Sequence, residues 1–194
     1  MEITWFSMNF LRGCLAMFLL VGLSGTAGAT APVAEVVATQ VLAADSLRAH
    51  TFSLLARGQV TEAIDYWVLT TGKEAPAWLL AMRTSFEAGK QVAGACQGVA
   101  QSIHTAFTQL GGKPEFVQLT TRSQKEFGYI MFKLTNGKDV NVSHTGYHVL
   151  VRMQGRAYDA YTGAAGMPWA EYMSRLGARL EITEKVVETV ARVR

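Results

Sequence analysis

Cysteine is scarce in this chain, whose 194 residues contain only Cys14 and Cys96. Cys14 lies in an apolar run, residues 14–23, which follows Arg12 and is too short to span a bilayer comfortably. Small residues come next and fit a cleavage site, so we predict a signal peptide over residues 1–29, with an uncleaved membrane anchor as the alternative. The mature protein is then expected to be secreted or periplasmic, with no membrane segment.

Removal of that segment leaves Cys96 as the single cysteine, which excludes an internal disulfide. A free thiol in an oxidising compartment is a liability unless it is buried or used. Cys96 is therefore either a core residue or a reactive group, and its surroundings must distinguish the two.

Basic runs are also absent. The formal net charge is +3, and the 18 lysines and arginines are scattered along the chain. This distribution argues against a nucleic-acid partner. The cysteines and histidines lack the close paired spacing of zinc ligands, and the glycine-rich pieces match no phosphate-binding loop. We therefore expect neither a metal nor another cofactor.

The hydrophobic period is helical in the first half of the chain and alternating in the second. After a flexible lead-in over residues 30–44, the predicted helices cover 45–57, 61–71, 77–88 and 96–110. Strands are predicted at 116–120, 129–134, 139–142, 147–153 and 156–161, a short helix at 168–176, and a last strand or helix within 179–194. Helices followed by an antiparallel sheet make an α+β fold.

Cys96 begins the fourth predicted helix, and the apolar residues Val99, Ile103 and Phe107 follow it at helical spacing. The thiol therefore shares the buried face of the first turn. The partial positive charge at a helix N-terminus favours thiolate over thiol and lowers the pKa of the cysteine.

A histidine and an aspartate flank the predicted hairpin turn Gln154-Gly155. A two-residue turn pairs Met153 with Arg156, and His148 and Asp159 then project from the same side of the sheet as diagonal neighbours. The carboxylate can orient the imidazole, as in a catalytic triad. If the helix of Cys96 packs on that face, the thiol reaches the other ring nitrogen. A register shift of one residue would separate the pair.

Each of these residues also has an ordinary structural interpretation. A lone cysteine often fills a core, and an aspartate after a hairpin often serves a turn. The combination nevertheless favours a reactive site. Two other histidines are weaker candidates for the base: His104 lies two turns beyond Cys96 on the same helix, and His144 lies in a loop.

The order cysteine, histidine, aspartate, with the cysteine at a helix start, resembles the papain-like superfamily, and more closely the papain-fold toxin domains of bacterial polymorphic toxins. The matching stretches lie within residues 90–176 and cover residues 94–100, 110–112, 147–151 and 155–163. The resemblance implies a papain-like catalytic domain over residues 90–194, after a helical region over 30–89. It implies Cys96 as nucleophile, His148 as general base and acid, and Asp159 as the residue that orients the imidazole.

The activity implied is that of a cysteine enzyme acting on amide bonds: a peptidase or a protein-glutamine deamidase, acting as a toxin or effector. Its substrate would be a protein or peptide, and an immunity protein would neutralise it. Gln91 and Gln97 are the side-chain candidates for the oxyanion hole. A peptidoglycan amidohydrolase of the NlpC/P60 kind and a non-catalytic binding or adaptor module on the same scaffold are the alternatives. Unlike such toxin domains, this chain carries its own predicted signal peptide.

Overall fold

The computed structural model describes residues 33–121 and 128–190, with side chains from residue 43 onwards. The predicted signal peptide over residues 1–29 lies outside the described residues. The helices are α1 Val33–Ala56, α2 Val60–Thr71, α3 Ala77–Ser85, α4 Cys96–Gln109 and α5 Trp169–Arg175, with a 3₁₀ turn at Ala88–Lys90. Within the described part of the chain, no helix is both long and apolar enough to cross a bilayer.

The strands are β1 Glu115–Thr121, β2 Ile130–Lys133, β3 Asp139–Ser143, β4 Tyr147–Met153, β5 Arg156–Tyr158, β6 Met167–Pro168, β7 Leu176–Ala178 and β8 Ile182–Val187. In the described residues they form two antiparallel sheets, with the orders β6-β5-β4-β1-β8 and β3-β2-β7. The predicted α+β class with antiparallel pairing is confirmed. For the last predicted segment, within residues 179–194, the sequence left a strand or a helix open; the structure has a strand there, β8, which pairs with β1.

Two helix boundaries were wrong in the sequence prediction. Helix α1 begins at Val33, so residues 33–44 are not a flexible lead-in. They contain neither glycine nor proline and four alanines, and alanine is the best helix former. Helix α3 ends at Ser85 rather than at Ala88, and the 3₁₀ turn follows after a break.

The odd and even residues of β4 face different cores. Val149, Val151 and Met153 pack with α4 and with helices α1 to α3 in the first core cluster. Leu150 packs in the second cluster, with residues of β1, β2 and α5. His148 shares the side of Leu150, because side chains alternate along a strand. Helix α4 therefore packs on the opposite face of β4 from His148, not on the same face.

The hairpin between β4 and β5 has the predicted register. Met153 pairs with Arg156 and Val151 with Tyr158. Gln154 and Gly155 have φ angles of 49° and 72°, so both turn residues are left-handed, as a two-residue type I′ turn requires. The register on which the proximity of His148 and Asp159 depends is therefore present.

Strand β5 is shorter than predicted and ends at Tyr158 rather than Tyr161. The Oδ1 atom of Asp159 accepts hydrogen bonds from the backbone N–H groups of Tyr161 (2.8 Å) and Thr162 (2.9 Å). A side chain that binds the backbone two residues ahead makes an Asx turn, which bends the chain out of the ladder. Beyond Tyr158 the predicted strand pairs therefore do not form.

Candidate active site

The thiol of Cys96 lies at the first turn of α4 and is half-buried. Gly94, with φ of 93°, sets the bend into the helix, and Ala95 occupies the cap position without a side-chain hydrogen bond. The first N–H groups of a helix have no partner inside the helix. One of them, the N–H of Gln97, lies against the sulfur and stabilises its anionic form.

A second backbone donor to the sulfur comes from strand β4. In a two-residue hairpin, Met153 and Arg156 exchange hydrogen bonds, so alternate residues of β4 point their N–H groups towards β5. Val149 is one of these, and its partner would be Ala160. Because β5 ends at Tyr158, the N–H of Val149 donates instead to the sulfur of Cys96. The thiol therefore lies at the open edge of the hairpin, which explains how it reaches His148 from a helix on the other face.

The imidazole of His148 is buried, with 1% of its surface exposed. Its Nε2 lies 3.2 Å from Oδ2 of Asp159 and 3.1 Å from the hydroxyl of Tyr172. A carboxylate can only accept, so Nε2 carries the hydrogen. The structure therefore brings His148 and Asp159 together as the sequence predicted.

The other ring nitrogen, Nδ1, is buried and makes no well-aligned hydrogen bond. The imidazole and the thiol nevertheless lie close enough that each changes the pKa of the other. Long or poorly aligned contacts are common between a nucleophile and its base in the absence of substrate. Since Asp159 and Tyr172 occupy Nε2, Nδ1 is the ring nitrogen left to face the thiol of Cys96.

The ionisation of the pair favours a thiolate and an imidazolium. Burial by itself raises the pKa of Cys96, but the hydrogen bond and charge of His148 and two backbone N–H groups bring that pKa below its ordinary value. Burial by itself lowers the pKa of His148. The hydrogen bonds and charges of Asp159 and Cys96 together outweigh the effect of burial and raise this pKa to about 9. A lowered pKa increases the fraction of the sulfur that is present as thiolate.

Asp159 is fixed from every side and is 1% exposed. Its Oδ1 is held by the Asx turn, and its own N–H donates to Oγ1 of Thr162 at 3.0 Å. These bonds leave Oδ2 to face His148. The same turn thus ends β5 and aims the carboxylate.

Sequence reasoning missed Tyr172, on α5. Its hydroxyl donates to Oδ2 of Asp159 at 2.8 Å, and its ring is fully buried against Phe132 and Trp169. The sequence predicted the short helix but contained no motif that would single out this tyrosine. Only the three-dimensional structure shows that α5 lies against the imidazole.

The two rival histidines occupy other positions. His104 stacks on Phe116 with ring centroids 4.0 Å apart. Burial lowers the pKa of His104, and a hydrogen bond with the backbone of Pro114 only partly offsets this effect. His144 borders the cavity beside Cys96, and its ring lies edge-on to Tyr129. Neither contacts Asp159 in the described hydrogen bonds, so His148 alone has the orienting carboxylate.

The two candidate oxyanion residues make different contacts, and only Gln97 lines the cavity beside the thiol. The side-chain amide of Gln91 donates to the carbonyl of Ala160 at 3.0 Å, which leaves its second N–H for another acceptor. Gln97 interacts with Tyr147 next to the sulfur. Burial and then the negative charge of Cys96 raise the pKa of Tyr147.

A cavity of about 260 Å³ opens beside the thiol. Two segments of the chain, within residues 93–97 and 143–147, form its walls. The lining residues are Ala93, Gly94, Cys96, Gln97, Ser143, His144, Thr145 and Tyr147. A larger cavity of about 800 Å³ lies over β2 and β7 and touches none of Cys96, His148 and Asp159. The smaller cavity is therefore the one that opens onto the thiol.

The described residues contain no group of three histidine, cysteine, aspartate or glutamate side chains placed to hold a metal ion. Comparisons with protein-family models, with curated proteins and with solved structures found no match. The geometry of the site is therefore what indicates its function.

Proposed function

We propose that this protein is a papain-like cysteine hydrolase that acts on amide bonds, as a peptidase or a protein-glutamine deamidase. The observation that carries the proposal is the buried imidazole of His148, held by Asp159 on one side and next to the thiol of Cys96 on the other. A thiol, a base and a group that orients the base are the components of nucleophilic cysteine catalysis.

In the first half of the reaction the thiolate of Cys96 attacks the carbonyl carbon and forms a C–S bond. The carbonyl oxygen becomes an oxyanion, for which the N–H of Cys96 at the start of α4 and the second N–H of Gln91 are the proposed donors. His148 then gives its Nδ1 proton to the nitrogen as the C–N bond breaks. An amine leaves in proteolysis, and ammonia leaves in deamidation.

Water completes the cycle. Nδ1, now unprotonated, removes a proton from water as its oxygen attacks the thioester carbon. The C–S bond breaks, the acid product leaves, and the thiolate and imidazolium are restored. Asp159 keeps the hydrogen on Nε2 throughout, so that Nδ1 always faces the reacting atoms.

A purely structural role for Cys96 is less consistent with these observations. A core cysteine is usually fully buried and has a raised pKa. Cys96 is partly exposed to a cavity, two backbone N–H groups lie against its sulfur, and its pKa is lowered. These features support catalysis over an adaptor role on the same scaffold.

Alkylation by iodoacetamide tests the ionised pair without knowledge of the substrate. At neutral pH we expect Cys96 to react faster than a small-molecule thiol. The His148→Ala variant should react at about one tenth of the wild-type rate or more slowly. His104→Ala is the matched control, since it removes a histidine from α4 away from the thiol, and its rate should be unchanged. Labelling at the rate of the free thiol, with no effect of His148→Ala, would overturn the proposal.

Mass spectrometry of a candidate target proteome distinguishes the reactions. After exposure to wild-type protein, a gain of about one dalton on glutamines indicates deamidation, and new chain termini indicate proteolysis. Released peptidoglycan fragments would instead indicate a cell-wall amidohydrolase. Cys96→Ala protein should produce none of these changes, and equal changes with that variant would contradict a nucleophilic role for Cys96.

A further inference from the structure

Three polar groups meet in the second core behind the imidazole. Tyr172 donates to Oδ2 of Asp159 at 2.8 Å, while Nε2 of His148 lies 3.2 Å from that same oxygen and 3.1 Å from the phenol oxygen. A charge-assisted N–H···O⁻ bond is normally about 2.7–2.9 Å long. The shortest contact of the three is therefore the one between tyrosine and carboxylate, and the imidazole takes the two longer ones.

We propose that Tyr172 is a positioning residue of the site, which binds Oδ2 of Asp159 and keeps the carboxylate from closing on Nε2 of His148. Its hydroxyl hydrogen is committed to Asp159, so its oxygen can only accept from Nε2. The Nε2 hydrogen is thus shared between two acceptors instead of being bound tightly by one.

Sharing has a consequence for the proton on Nδ1. A carboxylate that closes on Nε2 stabilises the imidazolium and makes it a weaker acid, whereas a carboxylate that already accepts a phenol hydrogen attracts it less. Tyr172 therefore keeps His148 acidic enough to protonate a leaving amine. This part of the inference depends on the proposed hydrolase function; the contacts among the three side chains do not.

The titratable groups that face His148 come from three elements. They are Cys96 from α4, Asp159 from the turn after β5, and Tyr172 from α5. Tyr161 lies beyond them, where burial and then the charges of Asp159 and Cys96 raise its pKa to about 12. From β1, the partner of His148 is the apolar Leu119. Changes at Tyr172 should therefore act mainly through Asp159.

Removal of the hydroxyl in Tyr172→Phe abolishes both a donor to Asp159 and an acceptor for Nε2. The bond to Asp159 is the shorter one, so its loss should dominate and let the carboxylate move towards the imidazole. We expect the pKa of His148, measured by NMR titration of the isotope-labelled full chain, to rise by about 0.5 unit or more. An unchanged or lower pKa would overturn the proposal.

Tyr158→Phe is the matched control. Tyr158 is equally buried, at 1% exposure, but its hydroxyl interacts with Arg156 and its ring packs on Phe107. The pKa of His148 should not move in this variant. A shift as large as that of Tyr172→Phe would mean that any buried tyrosine hydroxyl changes the site, which contradicts a specific role.

Replacement of Tyr172 by 3-fluorotyrosine keeps the ring and hydroxyl and guards against failure of Tyr172→Phe to fold. Fluorine makes the phenol a stronger donor, so the pKa of His148 should fall, opposite to the effect of the phenylalanine. A rise or no shift would contradict the proposal.

Kinetics separate this inference from the proposed function. Alkylation needs only the thiolate, whereas amide hydrolysis also needs the proton of His148. In Tyr172→Phe we expect alkylation at neutral pH to be retained within about twofold and kcat for hydrolysis to fall several-fold, with KM unchanged. Retained kcat would overturn the role of Tyr172 in proton transfer. If no variant or wild-type protein hydrolyses any amide, the proposed function fails, and the NMR shifts still decide the role of Tyr172.

Discussion

The two ends of the β4–β5 hairpin differ in the partners of their backbone hydrogen bonds. At the turn end, Met153 and Arg156 pair, and two left-handed residues close the loop. At the other end, the pair expected between Val149 and Ala160 does not form. The N–H of Val149 donates to the thiol, and the carbonyl of Ala160 accepts from Gln91.

The difference shows which end of the hairpin contacts the thiol. The turn end fixes the register and contributes no chemical group. The open end replaces one ladder hydrogen bond, from the N–H of Val149 to the carbonyl of Ala160, with a bond to the thiol of Cys96 and a bond from the side chain of Gln91, and the Asx turn of Asp159 causes the opening. Substitutions at the open end should therefore change chemistry, and substitutions at the turn end should change stability.

The largest expected effect is at the open end. In Asp159→Asn the negative charge beside His148 is lost, so the pKa of His148 should fall and the thiolate should lose its partner. We expect amide hydrolysis to fall by about 10³–10⁴-fold. Asp139→Asn, at an exposed carboxylate at the start of β3, is the control and should change the rate by less than about twofold. Equal rates for the two variants would remove Asp159 from the mechanism.

The pH profile should show the same ion pair. Hydrolysis needs a thiolate and an imidazolium, so the rate should fall below the lowered pKa of Cys96 and fall again as pH rises through about 9, the pKa of His148. The folded state also holds this proton more tightly than an unfolded chain, whose histidine pKa is 6.5. That contribution to stability is complete below about pH 6.5 and is lost as pH rises through about 9. A rate that stays flat across alkaline pH would show that His148 donates no proton.

A smaller effect is expected at the turn end. Gly155 has φ of 72°, and a Cβ added there would have nothing within 4 Å, so Gly155→Ala meets only backbone strain. We expect the free energy of unfolding, measured with urea, to fall by about 1 kcal/mol, and the rate per folded molecule to stay within about twofold. Gly89→Ala, which has open space and no positive φ, should change stability by less than about 0.5 kcal/mol. A large loss of rate in Gly155→Ala would erase the distinction between the two ends.

Local signals predicted much of the site. The helix start at Cys96 could be predicted, because Gly94 and Ala95 precede a clear helical period of apolar residues. The register of His148 and Asp159 followed from one assumed two-residue turn at Gln154-Gly155, because that turn fixes every pair, and the structure has this register. These features depend on neighbouring residues, which a sequence shows directly.

The remaining features depend on tertiary contacts. The end of β5 at Tyr158 depends on how the side chain of Asp159 binds the backbone, and a strand pattern through Tyr161 conceals it. The face on which α4 packs depends on which core each residue of β4 joins. The contact of Tyr172 with Asp159 requires α5 to fold beneath the sheet, for which the sequence holds no signal.

The hydrogen bond from Gln91 to Ala160 joins residues 69 positions apart. Bringing residues so far apart in the sequence together costs loop-closure entropy, which the contacts of the folded state must offset. Until α4 docks on the hairpin, Cys96 has no imidazole beside it, and we expect it to react as an ordinary thiol. If the folded protein is labelled faster than the unfolded chain, the labelling rate of Cys96 will report when α4 and the hairpin have come together.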